Sequence, residues 1–225
     1  KYYVEKSVKF MKNPKCTHVS IPFERKTVDG QAAINTDTFR RVLLEYVKAS
    51  VRDNTDYVKK LGCHLVDEPQ QNNWFERTKV MTRLFKETKE KVAKEVAADL
   101  TIDEPLRKSL ENSIKHLVGS VTGKWEEKYA PHVEVWCPQV DYCDSEEDRA
   151  LYSSNFERWW YTCISPRAPY PTYHTEDTLL SARAMGWMQA EYDVKGVLFW
   201  ATNVYAEYDG SKYNNIEDFY EGNAS

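Results

Sequence analysis

Gly62-Cys-His-Leu-Val-Asp-Glu-Pro69 is the stretch on which the fold turns. A short, mostly apolar run goes straight into two carboxylates and a proline. A run of that length without a polar face reads as a strand covered on both sides. Proline cannot extend a covered strand, so the strand stops at Val66 and the acids stand at its C-terminal end. Covered strands imply helices on either side of a parallel sheet, and the flanking sequence supplies them.

Downstream, residues 74–96 place Val80, Leu84, Thr88 and Val92 about four apart, a helix packed along one side. Residues 97–102 read as a weak strand, and 106–121 as a second amphipathic helix. Strands follow at 133–137, closed by Pro138, and at 158–164, closed by Pro166. A helix over 178–192 and a strand over 195–201 complete the pattern; beyond Asp209-Gly210 the chain reads as irregular. Upstream, residues 17–23 alternate as a strand, Asp29-Gly30 is a turn, and 35–48 form a helix capped by Asn35 or Thr36 that can continue or re-form through Lys60. Residues 2–12 form a helix stopped by Asn13-Pro14.

Strands alternating with helices predict α/β architecture with a parallel sheet. An open doubly wound sheet and a (β/α)₈ TIM-type barrel both fit. No glycine-rich phosphate loop follows a strand, which weakens the nucleotide-binding version. In a barrel the functional residues occupy the C-terminal strand ends. Those positions hold Glu24, Asp67, Glu68, Asp103, Gln139, Asp141, Tyr161, Trp200 and Asn203. The whole chain, residues 1–225, reads as a single domain. Six strands where a closed barrel needs eight predict a partial barrel, lacking first strand–helix units that would lie before Lys1. Unpaired strand edges, or a partner that covers them, follow from that.

Composition narrows the function. With 31 basic against 35 acidic residues the net charge is −4, which argues against a chain built to coat nucleic acid or anionic lipid. No apolar run approaches the roughly 20 residues that cross a bilayer. Aromatic residues reach 13% while mean hydropathy is −0.70, so the excess lies in Tyr and Trp, with apolar bodies and polar handles. Some of these rings are expected to face a ligand. Five cysteines without a CxxC pair read as reduced, buried thiols, which leans towards the cytoplasm. No metal site and no cofactor are expected. The five histidines form neither an HExxH motif nor a nucleophile triad, and there is no GxSxG elbow.

Asp-Glu-Pro occurs twice. At 103–105 it follows Thr101-Ile102 and fits a capping box ahead of the next helix, a structural role. At 67–69 the intervening Gln70-Gln-Asn-Asn73 delays the next helix, so capping explains it less well. Successive strand residues face opposite ways, so Asp67 and Glu68 reach one site only where the backbone turns. Among the tryptophans, Trp136 and Trp200 stand at strand ends and suit either core or ligand. Aromatic faces stack on sugar rings and acids bind hydroxyls, which favours a carbohydrate over a phosphate ligand.

Four segments in order, Leu65-Val-Asp-Glu-Pro69, Arg158-Trp-Trp-Tyr-Thr-Cys163, Arg183-Ala-Met-Gly-Trp187 and Gly196-Val-Leu-Phe-Trp-Ala-Thr-Asn203, resemble the catalytic domain of glycoside hydrolase family 123. The resemblance runs from about Ser20 to the C-terminus. It implies a (β/α)₈ barrel and an exo-acting β-N-acetylhexosaminidase of galactosaminidase type that retains configuration with the substrate's help. By that resemblance Asp67 orients the 2-acetamido group, and Glu68 is general acid and then base. Tyr161 becomes a donor to the acetamido group, and Trp136, Gln139, Trp200 and Asn203 become sugar contacts. Arg183, on a helix, reads as a brace. Two alternatives remain open: a non-catalytic glycan-binding module, and a conventional glycosidase whose second carboxylate is Asp141 or Glu24.

Overall fold

The computed structural model describes residues 2–152 and 158–199. Trp200 and Asn203 lie outside the described residues. Six parallel strands carry the architecture: β1 (Val19–Ser20), β4 (Leu61–Val66), β5 (Val118–Thr122), β6 (Val135–Cys137), β7 (Trp159–Thr162) and β8 (Gly196–Phe199). The first four pair as β1-β4-β5-β6, and β7 pairs with β8. A parallel bridge between Gln139 and Tyr161, with the Tyr161 N–H on the Pro138 carbonyl at 2.8 Å, carries the ladder from β6 to β7. The strands therefore follow one another in sequence order, without the reversal that marks a doubly wound sheet. Among the described residues β1 and β8 each have one strand neighbour, so both outer edges are unpaired.

The helices wrap this sheet for the reasons their spacing gives. Helix α1 (Tyr2–Met11) buries Val4, Ser7, Val8 and Met11. Helix α2 (Thr36–Asp53) buries Phe39, Leu43, Tyr46 and Val47; Asn35 caps it through the Thr38 N–H. It ends at Asn54, whose left-handed φ of 47° returns its N–H to Ser50 and Val51 carbonyls, and helical backbone re-forms only as a short 3₁₀ turn at Val58–Lys60. Helix α3 (Phe75–Ala98) buries Met81, Phe85, Val92, Ala93 and Val96. Helices α4 (Glu104–Lys115), α5 (Glu146–Leu151) and α6 (Leu179–Glu191) follow. A hairpin of β2 (Arg25–Val28) and β3 (Gln31–Ile34) turns on Asp29-Gly30, both at positive φ as a two-residue Asp-Gly turn requires.

Three readings of the sequence need correction. Residues 97–102 are not a strand: Ala97 and Ala98 finish α3, and Asp99 to Asp103 turn into α4. The strand lies instead at Val118–Thr122, inside the segment read as helix to Val121. Helix α4 stops at Lys115, and the β-branched Val118, Val121 and Thr122 then pair with β4. Leu106, Leu110 and Ile114 carry a helical stripe that Leu117 and Val121 continue by coincidence of spacing. The capping box at 101–104 also does not form: Asp103 is the N-cap without a side-chain hydrogen bond, and Thr101 bonds to Asp99. Pro105 does sit in the first helical turn.

The sheet has two faces. Val135, Cys137, Trp159 and Tyr161 form one buried cluster; the larger core on the other side takes Leu65, Val121, Trp136 and Trp160 against the helices. Lys89 of α3 is buried and ties the starts of two strands, donating to the Leu117 carbonyl at 3.2 Å and to Glu134 at 2.6 Å.

Candidate active site at the strand ends

Strand β4 does not meet β5 in even register. His64 pairs with Ser120 and Val66 with Val121, so one extra residue is absorbed between them. This bulge resets the alternation of side chains. His64 and Asp67, three apart, therefore fall on the same side, with Nε2 3.9 Å from Oδ1. Glu68 then takes a φ of +40°, a left-handed backbone that a non-glycine residue adopts only when its surroundings impose it. That turn brings the second acid into the same cavity as the first. Gly123, at φ +120°, leaves room for the turn: a Cβ there would lie 2.5 Å from Gln70 Oε1 and 3.5 Å from the Glu68 Cα.

Thr122, the last residue of β5, holds the pair. Its hydroxyl donates to Asp67 Oδ1 at 2.7 Å and accepts the Glu68 N–H at 3.1 Å. His64 Nε2 lies 3.3 Å from the same oxygen. The hydroxyl has one proton, which goes to the nearer carboxylate, so its lone pairs serve the two N–H donors. Burial holds His64 below the ordinary histidine range, only partly opposed by Asp67, and the ring is neutral near pH 7. Across the cavity the Tyr161 hydroxyl donates to Glu68 Oε1. Burial, and then the Glu68 carboxylate, push the Tyr161 phenol far up, so it stays a donor.

The cavity is about 580 Å³ and opens at the C-terminal ends of β4, β5, β7 and β8. Asp67, Glu68, His64, Thr122 and Tyr161 share its wall with Arg25, and Cys163, Ile164, Leu198 and Phe199 give it an apolar side. Asp67 and Glu68 are the carboxylates that line it among the described residues. Glu24 is elsewhere, accepting from Thr38 Oγ1 at 2.8 Å beside the start of α2. Asp141 lies in the short turn Val140–Cys143 and does not line the cavity; burial raises its pKa.

The other expected contacts fall differently. Val135 and Cys137 face the inner cluster, so Trp136 between them points to the helix side, buried and edge-on to Tyr152 at 6.5 Å. Gln139 is buried and engaged with Ser165 at 3.1 Å, behind the cavity wall. Arg183 lies over the Trp187 ring on α6. His64, Thr122 and Arg25 were not expected from the sequence. A correct strand at 118–122 would have put Thr122 at a strand end, where it would have drawn notice. All five cysteines are free. Among the described residues no group of three metal-ligating side chains could hold a metal, and no helix is long and apolar enough to cross a membrane.

Paired acids, a tyrosine and an apolar wall share one cavity at parallel strand ends, and comparison with known families places the chain among the glycoside hydrolases. Residues 18–223 match the catalytic domain of glycoside hydrolase 123. The chain belongs to that family. No match to a curated protein was found.

Proposed function

We propose that the domain is an exo-acting β-N-acetylhexosaminidase, galactosaminidase-like, that uses substrate-assisted retaining catalysis on a (β/α)₈-type barrel. The observation that carries this reading is the pair itself: Asp67 and Glu68 are the cavity's carboxylates among the described residues, and they are adjacent. A conventional retaining enzyme needs a second carboxylate on the opposite face of the sugar, about 5 Å from the acid. Adjacent acids suit a mechanism in which the substrate supplies the nucleophile. The sequential parallel order of the strands and the cavity at their C-terminal ends support the barrel.

In this reading Asp67, held by Thr122, accepts the acetamido N–H and turns the carbonyl oxygen towards C1. That oxygen attacks C1 as the glycosidic bond breaks, and Glu68 gives its proton to the leaving oxygen. Glu68, now a carboxylate, takes a proton from water as the water attacks C1 and opens the oxazoline. Two inversions give net retention. Tyr161 has its hydroxyl on Glu68, so it positions the acid rather than the acetamido group. General acid–base assistance of this kind is worth about 10²–10⁴-fold.

The test is Glu68→Gln assayed on an aryl β-N-acetylhexosaminide, beside wild type treated with a thiazoline mimic of the oxazoline. Release of the aryl group should fall by at least about 100-fold with the fold intact, and the thiazoline should inhibit. Full activity in the variant, or indifference to the thiazoline, refutes the mechanism.

A further inference from the structure

The cavity that holds the acids continues past them. A second, more open cavity of about 490 Å³ adjoins it, lined by Ser20, Ile21, Pro22, Phe23, Arg25 and His64. Arg25 and His64 line both, so the two form one cleft around these side chains. The ledge of the outer part is rigid. Ile21 is buried, and its N–H donates to the Gly62 carbonyl at 2.8 Å, which fixes the chain as it leaves β1. Phe23 packs partly on the core, and the Arg25 guanidinium lies 5.9 Å from its ring.

Among the residues that line the outer cavity Arg25 is the charged one, whereas Asp67 and Glu68 line the inner cavity with it. Arg25 forms no ion pair with a carboxylate among the described residues, although Asp67 lines the same cavity; Asp67 is bonded to Thr122 instead. Arg77, at the start of α3, stacks 3.9 Å over Trp74 and also lacks a carboxylate partner among the described residues. Its Nε is buried without a hydrogen-bond partner. Burial and then the nearby Arg25 lower its pKa, which is the electrostatic sign of two guanidiniums sharing one region. His64, the other polar group common to both cavities, is neutral. A neutral sugar hydroxyl engages a guanidinium through single N–H donors. A planar fork of N–H donors matches the paired oxygens of a sulfate ester or a carboxylate.

We propose that the Arg25 side of the cleft is an anion-recognising subsite, which takes a sulfate ester or a carboxylate carried by the glycan whose terminal N-acetylhexosamine occupies the Asp67–Glu68 cavity. This rests on the hexosaminidase reading above. It makes Arg25 a specificity determinant towards acidic glycans. The anion belongs either to the N-acetylhexosamine itself or to the sugar that leaves.

Three substrates separate these cases: a neutral aryl β-N-acetylhexosaminide, its sulfated counterpart, and a β-N-acetylhexosaminide whose leaving group is a uronic acid. At low salt the wild type should turn over one acidic substrate with kcat/KM about 10–100-fold above the neutral one, the range of one charge-assisted contact. Raising ionic strength should shrink that preference. Arg25 is exposed on β2, so Arg25→Ala leaves the core untouched. It should cost the favoured acidic substrate at least ten times more than it costs the neutral one, and Arg25→Lys should recover part of the loss. A wild type that prefers the neutral substrate, or an Arg25→Ala loss equal on all three, overturns the subsite. Normal turnover of the neutral substrate with no charge preference rejects the subsite alone. No turnover of any substrate rejects the hexosaminidase reading and the subsite with it.

Discussion

Thr122→Val is the sharpest perturbation of the site. The substitution keeps shape and β-branching and deletes one oxygen. That oxygen donates to Asp67 at 2.7 Å and accepts the Glu68 N–H at 3.1 Å. Hydrogen bonds to charged groups contribute about 1.5–3 kcal/mol, but the Asp67 side chain is 72% exposed and water can replace the lost donor, so the lower end applies. The Glu68 N–H is half-buried and costs about 1 kcal/mol if unpaired. The stability loss is then about 2.5 kcal/mol, a fall in Tm of roughly 5–10 °C for a domain of this size. Activity should suffer more than stability. Both acids lose their common anchor, and a displacement near 1 Å at a reacting group can cost about 100-fold. The assay is kcat and KM on an aryl N-acetylhexosaminide at a temperature where circular dichroism shows the variant folded. The expected result is a kcat lowered by about 10–100-fold with a smaller change in KM, and recovery by Thr122→Ser, which restores the hydroxyl. A folded Thr122→Val with wild-type kcat, or a Thr122→Ser as impaired as the valine, would refute the role of this oxygen.

Gly123→Ala forces a Cβ to 2.5 Å from Gln70 at φ +120°, and should destabilise the domain by about 1–3 kcal/mol in chemical denaturation. Gly186→Ala, in α6 with nothing within 4 Å, is the control and should be neutral or stabilising. Iodoacetamide should label Cys163 first, since it is half-exposed in the cavity wall while burial pushes the Cys63, Cys137 and Cys143 thiols up, Cys143 to about 12. Peptide mass mapping that finds another cysteine labelled first would contradict the packing. His64 has a depressed pKa in the fold, so below about pH 6.5 the unfolded chain takes up its proton before the folded one does. Stability should decline from pH 6.5 downwards to the folded pKa, and His64→Gln should flatten that decline in urea titrations; an unchanged slope would contradict it.

The long helices α2 and α3 were legible because their apolar residues recur at the period that buries one face: Phe39, Leu43, Tyr46 and Val47, or Val92 and Val96, need no partner to be recognised, whereas the short α5 buries none of its residues and gave no such signal. The short strands were less so. Val118–Thr122 lies directly after a helix whose stripe Leu117 and Val121 happen to continue, and residues 97–102 imitated a strand through Ala97, Ala98, Leu100 and Ile102. In both places local pattern was ambiguous and the pairing with β4 decided. Thr122 was hidden with it, because it follows directly on a segment whose spacing is helical and only the pairing makes it a strand end. Trp136 was ambiguous for a different reason. A strand of three residues shows alternation only once its neighbours reveal which face is which.

By itself, the sequence determined that Asp67 and Glu68 close a covered strand and that helices and strands alternate. Those are properties of neighbouring residues, set by steric limits and by burial period. The tertiary structure decided how the acids are used. The bulge that aligns His64 with Asp67, the left-handed turn at Glu68, the Tyr161 donor 93 residues away and the Thr122 anchor 55 residues away all depend on strands brought side by side. Hydrogen bonds are directional and short, so their partners are fixed by register between strands, which no local pattern encodes.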